Sequence, residues 1–459
     1  LRGAPFGPNK KRSHPGLGIP IDLFFSLHTD AGISEGIVGT LMIYRSLGDE
    51  RDEIFPDGRS RLLNRELGDL LQTQVVEDTR ALYSSSWSRR QLRDANYAES
   101  RLGNVPSCLM EMMSHQNFND MKYGLDPRFQ RDSARALYKG MLRFLAREYG
   151  FEPVVQPLPP THLSAQQVGS ERVELRWRPQ LDPLEPTAAP AGYVVYHRVG
   201  DGGFDNGVYT VGPQILVEGL RSGMVHSFCV EAVNAGGRSF PSETLAVALA
   251  EASAPRALIV YGFDRIGPPS TVSAPDYQGY DGADRGVGYQ YYFGRTGFQY
   301  DFDPKSRFVS NDAPGHGATS GEMEDRLERG NTLDYVARHG QAFLENGWAF
   351  DSVSDDAVAE GSINLGDYAL VDWILGEQRT EHLPSGFVEA GTPDRMQVMF
   401  KTFTLPMQAA LVDYATAGGA LLVSGAYVGT DLANSVDNAT ADAWFLKNIL
   451  HIEWVTNHG

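Results

Sequence analysis

Two stretches in the first third of the chain repeat apolar residues at the spacing of an α-helix. In residues 62–82 the apolar positions are Leu62, Leu63, Leu67, Leu70, Leu71, Val75 and Leu82. The second stretch begins with Asp126 and Pro127, which suit an N-cap and a first helical position, and it ends at Gly150. Because spacings of three and four put these side chains on one side of a helix, both stretches predict amphipathic helices.

Short apolar runs in the same third predict β-strands at 21–27, 37–44 and 108–113. The first run, IDLFFSL, leads directly into His28 and, two residues later, Asp30. Strands mixed with long helices predict an α/β domain over residues 1–153. Since ligands in such folds bind at the carboxyl ends of strands, the sequence predicts a buried strand that presents His28 at its tip.

Residues 157–252 follow a different pattern, in which apolar and polar positions alternate. The segments VELRW, GYVVYHR, QILVEGL and HSFCVEAVN are separated by turn residues. A period of two is that of a strand with one buried face. We therefore predict an antiparallel β-sandwich of seven short strands, a number typical of domains of about 100 residues.

Residues 256–459 again alternate strands with helices. Apolar strands are predicted at 256–261, 367–375 and 420–429, and helices at 330–347 and 405–419. Nearly continuous apolar strands are typical of parallel sheets covered on both faces. This segment is predicted to be a doubly wound, flavodoxin-like α/β domain, which makes the chain a multidomain α/β plus all-β protein.

Composition narrows the classes of partner. The net charge of −18 argues against a nucleic-acid partner, because such binding needs a high density of Lys and Arg. No run of 18 apolar residues occurs, so no membrane span is predicted. The cysteines, Cys108 and Cys229, stand far apart in apolar segments and are expected to be buried free thiols. The oligomeric state stays open.

Two candidate chemical groups stand out in the first segment. His28 has the position of a metal ligand at a strand end, although a lone histidine there is more often structural. Glu111 interrupts the apolar run CLMEMM, where a carboxylate is costly unless it is paired or functional. Burial would raise its pKa toward the range of a general acid or base, whereas the alternative is a carboxylate facing solvent.

The stretches DLFFSLHTDAG and PSCLMEMM together resemble the zinc-dependent N-acetylmuramoyl-L-alanine amidase family (Amidase_3). The resemblance implies that His28 is a zinc ligand and Glu111 the catalytic carboxylate, with peptidoglycan as substrate. Asp30 stands where this family usually has Asn, and it is expected to be a supporting or surface group. His115, four residues after Glu111, is expected to be structural or to support the site.

The family's other two zinc ligands, a His and a Glu, precede the position of His28. Only 27 residues precede His28 here, and His14 lies in a basic loop. The chain also begins with Leu1. We therefore expect the C-terminal half of an amidase domain, cut from a longer protein, with an incomplete zinc site and no activity as this chain.

Residues 157–252 also resemble a fibronectin type III module, through Pro159-Pro160, Trp177 and the segment EAVNAGGRSFPSE. His226 stands where that family usually has a corner tyrosine. Over its whole length the chain resembles secreted proteins of Bacteroidetes that are often labelled xanthan lyase. This resemblance implies a secreted, periplasmic or cell-surface location, but we find no residues that suggest lyase chemistry.

The last segment shows no recognisable catalytic motif. Its fold suggests an amidotransferase-like domain, yet no cysteine follows Cys229 to act as nucleophile. A tyrosine-rich stretch could stack on sugar rings as a glycan-binding surface, it could pack over the sheet edge, or it could form a calcium site. Its tyrosines are Tyr277, Tyr280, Tyr289, Tyr291 and Tyr292.

The sequence thus leaves three hypotheses for function. The first is a zinc-dependent amidase-like hydrolase that cleaves the bond between N-acetylmuramic acid and L-alanine. The second is a non-catalytic secreted protein that binds glycan or cell wall. The third, a polysaccharide lyase, follows only from the label of the similar proteins.

Overall fold

The computed structural model describes residues 21–455 apart from 33–35, 125–126, 251–252, 265–270, 274–277, 281–332, 377, 379, 383–397 and 436. The chain divides into two compact units, and the boundary between the first unit and the fibronectin-like segment falls between Pro153 and Val154. His14 and Tyr277, Tyr289, Tyr291 and Tyr292 lie outside the described residues, and nothing is described of the Tyr280 side chain.

The first unit contains a four-stranded sheet and its helices. Its strands are β1 (Phe24–Asp30), β2 (Thr40–Tyr44), β3 (Arg89–Asp94) and β4 (Ser107–Ser114). Its helices are α1 (Leu63–Leu82), α2 (Ala98–Arg101), α3 (Phe118–Gly124) and α4 (Pro127–Tyr149). The two long helices confirm the amphipathic patterns, and α4 begins at Pro127 and is followed by Gly150 as predicted.

The strand order in this sheet is β1-β4-β2-β3, which makes β1 an edge strand. Strand β4 lies inside the sheet, and all eight of its residues are buried. Helix α1 packs against the sheet where Gly68 faces Met42, and α4 packs on α1 where Gly140 faces Leu71. The two glycines permit these close approaches, because an added Cβ would lie 2.8 or 2.9 Å from the neighbouring side chain.

The prediction for the first strand is wrong in two respects. Strand β1 extends to Asp30, so His28 lies inside the strand rather than beyond its end. The strand is also not buried: its residues are half-buried or exposed, and Leu27 is 56% exposed. An edge position explains the difference, because β1 is covered by a neighbouring strand on one side only.

The fibronectin-like part of the second unit consists of short strands. They are β5 (Thr161–Gln167), β6 (Arg172–Arg178), β7 (Gly192–Val199), β8 (Val208–Thr210), β9 (Gln214–Glu218), β10 (Val225–Asn234), β11 (Gly237–Arg238) and β12 (Leu245–Ala248). The predicted alternation is clear in β6, where Val173, Leu175 and Trp177 are buried and their neighbours are not. Trp177 packs edge-on against Tyr193, with ring centroids 5.2 Å apart.

The remainder of the second unit alternates strands and helices. Its strands are β13 (Arg256–Tyr261), β14 (Thr271–Ser273), β15 (Gln278–Tyr280), β16 (Ala349–Ser354), β17 (Leu370–Gly376), β18 (Glu381–His382), β19 (Val398–Met399) and β20 (Ala420–Gly425). Its helices are α5 (Tyr335–Glu345), α6 (Asp355–Ala359), α7 (Leu405–Thr416), α8 (Val428–Ala433) and α9 (Ala439–Asn448). The strand predicted for 420–429 ends earlier, since Val428 already begins α8.

Both parts of the second unit share one twelve-stranded sheet. Strands β20, β17, β13 and β16 are parallel neighbours in that order. Strand β16 then pairs antiparallel with β5 and β12 of the fibronectin-like part. The hydrophobic pattern along the chain does not show this continuity, because pairing between distant strands is not a local property. The flavodoxin-like assignment stays a prediction.

Both cysteines are buried thiols that form no disulfide bond, as predicted. Burial raises the pKa of the Cys108 thiol, which keeps it protonated and unreactive. Among the described helices, none is long and apolar enough to cross a membrane.

His226, which the sequence places where a corner tyrosine is usual, forms a hydrogen-bonded pair with His197 in the fibronectin-like part. His226 donates from Nε2 to the carbonyl oxygen of Arg221 at 2.9 Å, so its Nδ1 accepts from His197 Nε2 at 2.9 Å. Burial lowers the pKa of both imidazoles; Asp205 opposes this for His197, and the hydrogen bond to Arg221 opposes it for His226. The network excludes protonation of both rings at once, because the two facing nitrogens cannot both carry a proton.

We expect the stabilisation from this pair to weaken in acid. Below about pH 6.5 the unfolded chain binds protons that the folded pair excludes. The free energy of unfolding therefore decreases as the pH is lowered. A His226→Gln variant retains an amide donor for Arg221 but does not titrate. Thermal unfolding should show the native chain more stable at pH 7.5 and a smaller difference at pH 5. A constant difference would contradict a titrating pair.

Candidate functional site

The two residues singled out by the sequence are neighbours in the first sheet. Strands β1 and β4 are parallel, and their register places His28 directly opposite Glu111. On its other side Glu111 pairs with Leu41 of β2. Two positions that are 83 residues apart in the sequence therefore lie side by side, and both point to the same face, since opposite residues of paired strands share a face.

The environment of Glu111 is that of a buried carboxylate. The residue is 8% exposed, and its Oε2 has no hydrogen-bond partner among the described residues. Burial raises the pKa of Glu111, and repulsion by Asp30 adds to the effect, while His28 and Arg90 oppose it. The alternative of a carboxylate facing solvent is therefore wrong. A carboxyl group with a raised pKa and an oxygen unpartnered among the described residues can accept a proton as the carboxylate and donate it again as the acid.

The imidazole of His28 is open to solvent, with 42% of its side chain exposed. Its Nε2 lies 3.9 Å from Oε1 of Glu99, which is carried by α2. An accessible imidazole beside carboxylates has the chemistry of a zinc ligand. Within the described ranges, however, no three His, Cys, Asp or Glu side chains are placed to hold a metal ion together.

Asp30 and His115 lie at the ends of β1 and β4, beyond the pair of His28 and Glu111. Asp30 lies opposite Ser114, after a shift in register between His28 and Asp30. Its Oδ2 accepts from Arg90 at 2.6 Å. His115 contacts Thr29 through Nδ1 at 3.1 Å, and its backbone N–H donates to the Asp30 carbonyl at 3.0 Å.

The sequence analysis did not identify three polar residues that lie near the site. Arg90 comes from β3, whose polar sequence RRQLRD does not show a strand pattern, and Glu99 comes from the short helix α2. Asp120 is fully buried, and its carboxylate accepts from the backbone N–H groups of Val38, Gly39 and Ser114 at 2.8 to 3.1 Å. It fixes the end of β4 after Glu111. A buried Asp after a polar turn gives no distinctive sequence signal.

Family models match the first unit and the fibronectin-like part of the chain. A model described as N-acetylmuramoyl-L-alanine amidase matches residues 9–143, which include His28 and Glu111. A model described as fibronectin type III domain matches residues 158–248. The chain thus contains a peptidoglycan amidase-like domain followed by a fibronectin type III β-sandwich.

The titles of solved structures that are similar to the chain name fibronectin domains. The twitchin kinase region of C. elegans is 24% identical over 26% of this chain, at a TM-score of 0.20, and the chain spans only 22% of it. A structure titled as the fourth FNIII domain of a human protein is 25% identical. The match covers 22% of this chain and 84% of that one, at a TM-score of 0.19. The FN5 domain of Drosophila Lar is 21% identical, and the match covers 20% of this chain and 96% of that domain at a TM-score of 0.17. No curated protein matches the chain.

Proposed function

We propose that the first unit is a zinc-dependent amide hydrolase that cleaves the bond between N-acetylmuramic acid and L-alanine in peptidoglycan. The observation that supports this most is the pairing of His28 with Glu111 on adjacent parallel strands, with one oxygen of Glu111 unpartnered among the described residues. The family match over residues 9–143 supplies the substrate class. A secreted, periplasmic or cell-surface location belongs to the same proposal, because peptidoglycan lies outside the cytoplasm.

The donor groups of the site suit zinc in kind. His28 would hold the ion through its exposed imidazole, together with ligands outside the described group, since the described residues do not form a set of three. When bound, zinc polarises an amide carbonyl and lowers the pKa of a water molecule.

Glu111 would move the proton in this reaction. In its ionised form it takes a proton from the attacking water as the new C–O bond forms. It then gives that proton to the alanine nitrogen as the C–N bond breaks, which leaves the carboxylate as it began. The raised pKa of Glu111 favours the first step, because it makes the carboxylate a stronger base than an ordinary glutamate, and the acid so formed can still give up its proton in the second.

The ion pair between Arg90 and Asp30 would adjust the pKa of this carboxylate. Asp30 raises the pKa of Glu111 by repulsion, whereas Arg90 moderates that effect by attraction. At 2.6 Å the pair also ties the end of β1 to β3. Both residues would therefore act on Glu111 through its electrostatic environment.

Zinc content separates the proposed roles of the two histidines. The proposal requires ligands outside the described residues to complete the zinc site, in place of the incomplete site expected from the sequence. We therefore expect about one zinc ion per chain by elemental analysis after mild dialysis. His28→Ala should lower zinc affinity by more than the roughly 10- to 100-fold that loss of an outer-shell partner costs. His115→Ala is the matched control and should retain zinc, because its imidazole contacts Thr29.

Activity on muropeptides completes this test. Zinc-loaded chain should release the peptide stem from N-acetylmuramic acid. A chain that neither binds zinc nor cleaves would contradict the proposal and favour the non-catalytic, glycan-binding hypothesis, whose tyrosines lie outside the described side chains. The lyase hypothesis predicts unsaturated sugar products that absorb in the ultraviolet, and no described residue supports it.

A further inference from the structure

A cavity in the second unit lies between the fibronectin-like part and helix α5. Its volume is about 1010 Å³, at the upper end of the roughly 300 to 1,000 Å³ that small-molecule pockets have. Its walls come from the end of β7, the turn that leads to β8, the first residue of β10 and one face of α5. A cavity of this size has room for a ligand of two six-membered rings.

Helix α5 turns a polar face toward this cavity. Arg338, Gln341 and Glu345 line it, at spacings of three and four residues that share one side of a helix. The opposite side of α5 packs on the sheet, where an added Cβ on Gly340 would lie 2.1 Å from the Phe350 side chain. The three polar side chains are exposed, so they are available to a ligand rather than used in packing.

The turn between β7 and β8 forms the facing wall. The backbone N–H of Gly200 donates to the Val225 carbonyl at 2.9 Å, which ties the start of the turn to β10. Asp201 and Phe204 line the cavity from this turn. Because Asp201 is exposed and Phe204 is half-buried, the turn supplies a hydrogen-bond acceptor and an apolar ring.

A buried arginine in the cavity wall has N–H groups without acceptors. Arg198, on β7, lines the cavity and is only 7% exposed. Its Nη2 donates to Oδ1 of Asp334 at 2.6 Å, and its Cζ lies 4.9 Å from the centroid of the Phe204 ring. The hydrogen bonds of its guanidinium to described residues all use Nη2, so Nε and Nη1 have no acceptor among them. An acceptor on a ligand would satisfy these donors.

The charges around the cavity favour an uncharged ligand. Arg198 and Asp334 neutralise each other as an ion pair. The other charged side chains in the described lining are Arg338, Asp201 and Glu345. An anion would meet the two acids, and a cation would meet the two arginines. Hydroxyl and amide groups suit this lining better, because they accept from arginine and glutamine N–H groups and also donate to carboxylates.

We propose that this cavity binds an uncharged disaccharide of N-acetylated amino sugars. Arg198 and Gln341 donate to the hydroxyl and amide oxygens of the sugar. Asp201 and Glu345 accept from its hydroxyl groups, and Phe204 supplies the apolar contact. The choice of an uncharged saccharide rests on the cavity, whereas the choice of amino sugars rests on the proposed function, because peptidoglycan strands are built from them. The second unit would thereby attach the chain to the glycan strand.

Calorimetric titration with N,N′-diacetylchitobiose tests this directly. We expect saturable binding of one disaccharide per chain. Sodium phosphate is titrated separately as an anionic probe, and it should not bind. Saturable phosphate binding without binding of the disaccharide would overturn the proposal in favour of an anion site.

Variants locate the binding. Arg198→Lys keeps a positive charge opposite Asp334 but removes the unpartnered donors, and it should weaken binding by roughly tenfold, which corresponds to about 1.4 kcal/mol. Gln341→Ala removes one hydrogen bond to the ligand and should weaken binding by roughly fivefold. The matched controls are Arg172→Lys on β6 and Gln214→Ala on β9, two exposed residues outside the cavity lining. Both should bind normally.

Thermal unfolding of the same samples separates lost binding from lost structure. Gln341→Ala should retain Tm, because Gln341 is exposed and alanine is the best helix former. The proposal is overturned if the disaccharide does not bind the native chain, or if Arg198→Lys and Gln341→Ala bind it as tightly as the native chain does.

Muropeptide cleavage by the same preparation distinguishes this inference from the proposed function. Cleavage without binding of the disaccharide would overturn this inference alone. Disaccharide binding that both cavity variants weaken, in a chain without amidase activity, would support this inference and contradict only the proposed hydrolase.

Discussion

The Glu111→Gln variant is expected to lose cleavage of the muramoyl–alanine amide by about a thousandfold, within the 10²- to 10⁴-fold that a general acid–base residue contributes. Glutamine has nearly the shape of glutamate but cannot carry the proton. Glu111 lies beside His28 on the buried strand β4 rather than facing solvent. The measurement is kcat on a muropeptide with the zinc-loaded protein.

The matched control is Glu77→Gln, the same change at an exposed position of α1, which should retain full activity. Zinc content should be equal in E111Q and the native protein, which separates loss of proton transfer from loss of the metal. In the native protein, activity should fall with acid through a pKa above the ordinary glutamate value of about 4.3, because Glu111 must be ionised to act as base. Undiminished turnover by E111Q would refute this role for Glu111.

The Lys139→Met variant is expected to destabilise the first unit by about 3 kcal/mol, which is typical when one partner of a buried ion pair is removed. Lys139 is 1% exposed, and its Nζ lies 2.6 Å from Oδ2 of Asp78. The pair joins α4 to α1. Methionine retains most of the apolar stem but leaves Asp78 with a buried charge and a hydrogen bond from Gln74. Denaturant unfolding measures the loss.

An exposed ion pair of the same unit provides the control. Arg89 Nη2 lies 2.6 Å from Asp69 Oδ1, as close as the buried pair, but the two side chains are 37% and 47% exposed. Arg89→Met should cost less than about 1 kcal/mol, because solvent screens this pair. Equal losses in the two variants would show that burial does not determine the strength of the Lys139–Asp78 pair.

The candidate site could be predicted only in part. Glu111 was recognisable because a carboxylate within an apolar run is costly without a purpose, and the structure shows it buried. Its closeness to His28 depends on the parallel pairing of β1 with β4, which no local pattern shows. Arg90 and Glu99 reach the site from β3 and α2, and their neighbouring sequences resemble any polar surface segment.

The position of His28 shows why the strand itself was misjudged. A continuous apolar run predicts a buried strand only if neighbours cover both of its faces and both of its edges. Strand β1 lies at the edge of the sheet, so Leu27 is exposed and the strand continues through His28 to Asp30. Whether a strand lies at the centre or the edge of a sheet is decided by the whole set of pairings.

The sequence by itself determined the elements that local physics controls. Helices α1 and α4 follow from apolar spacing and from Pro127 and Gly150, and the fibronectin-like strands follow from alternation and turn residues. The twelve-stranded sheet was decided only by tertiary structure. Helix periodicity and turn chemistry act over a few neighbouring residues, whereas strand pairing joins segments such as β5 and β16, nearly 200 residues apart, through contacts that exist only in the folded chain.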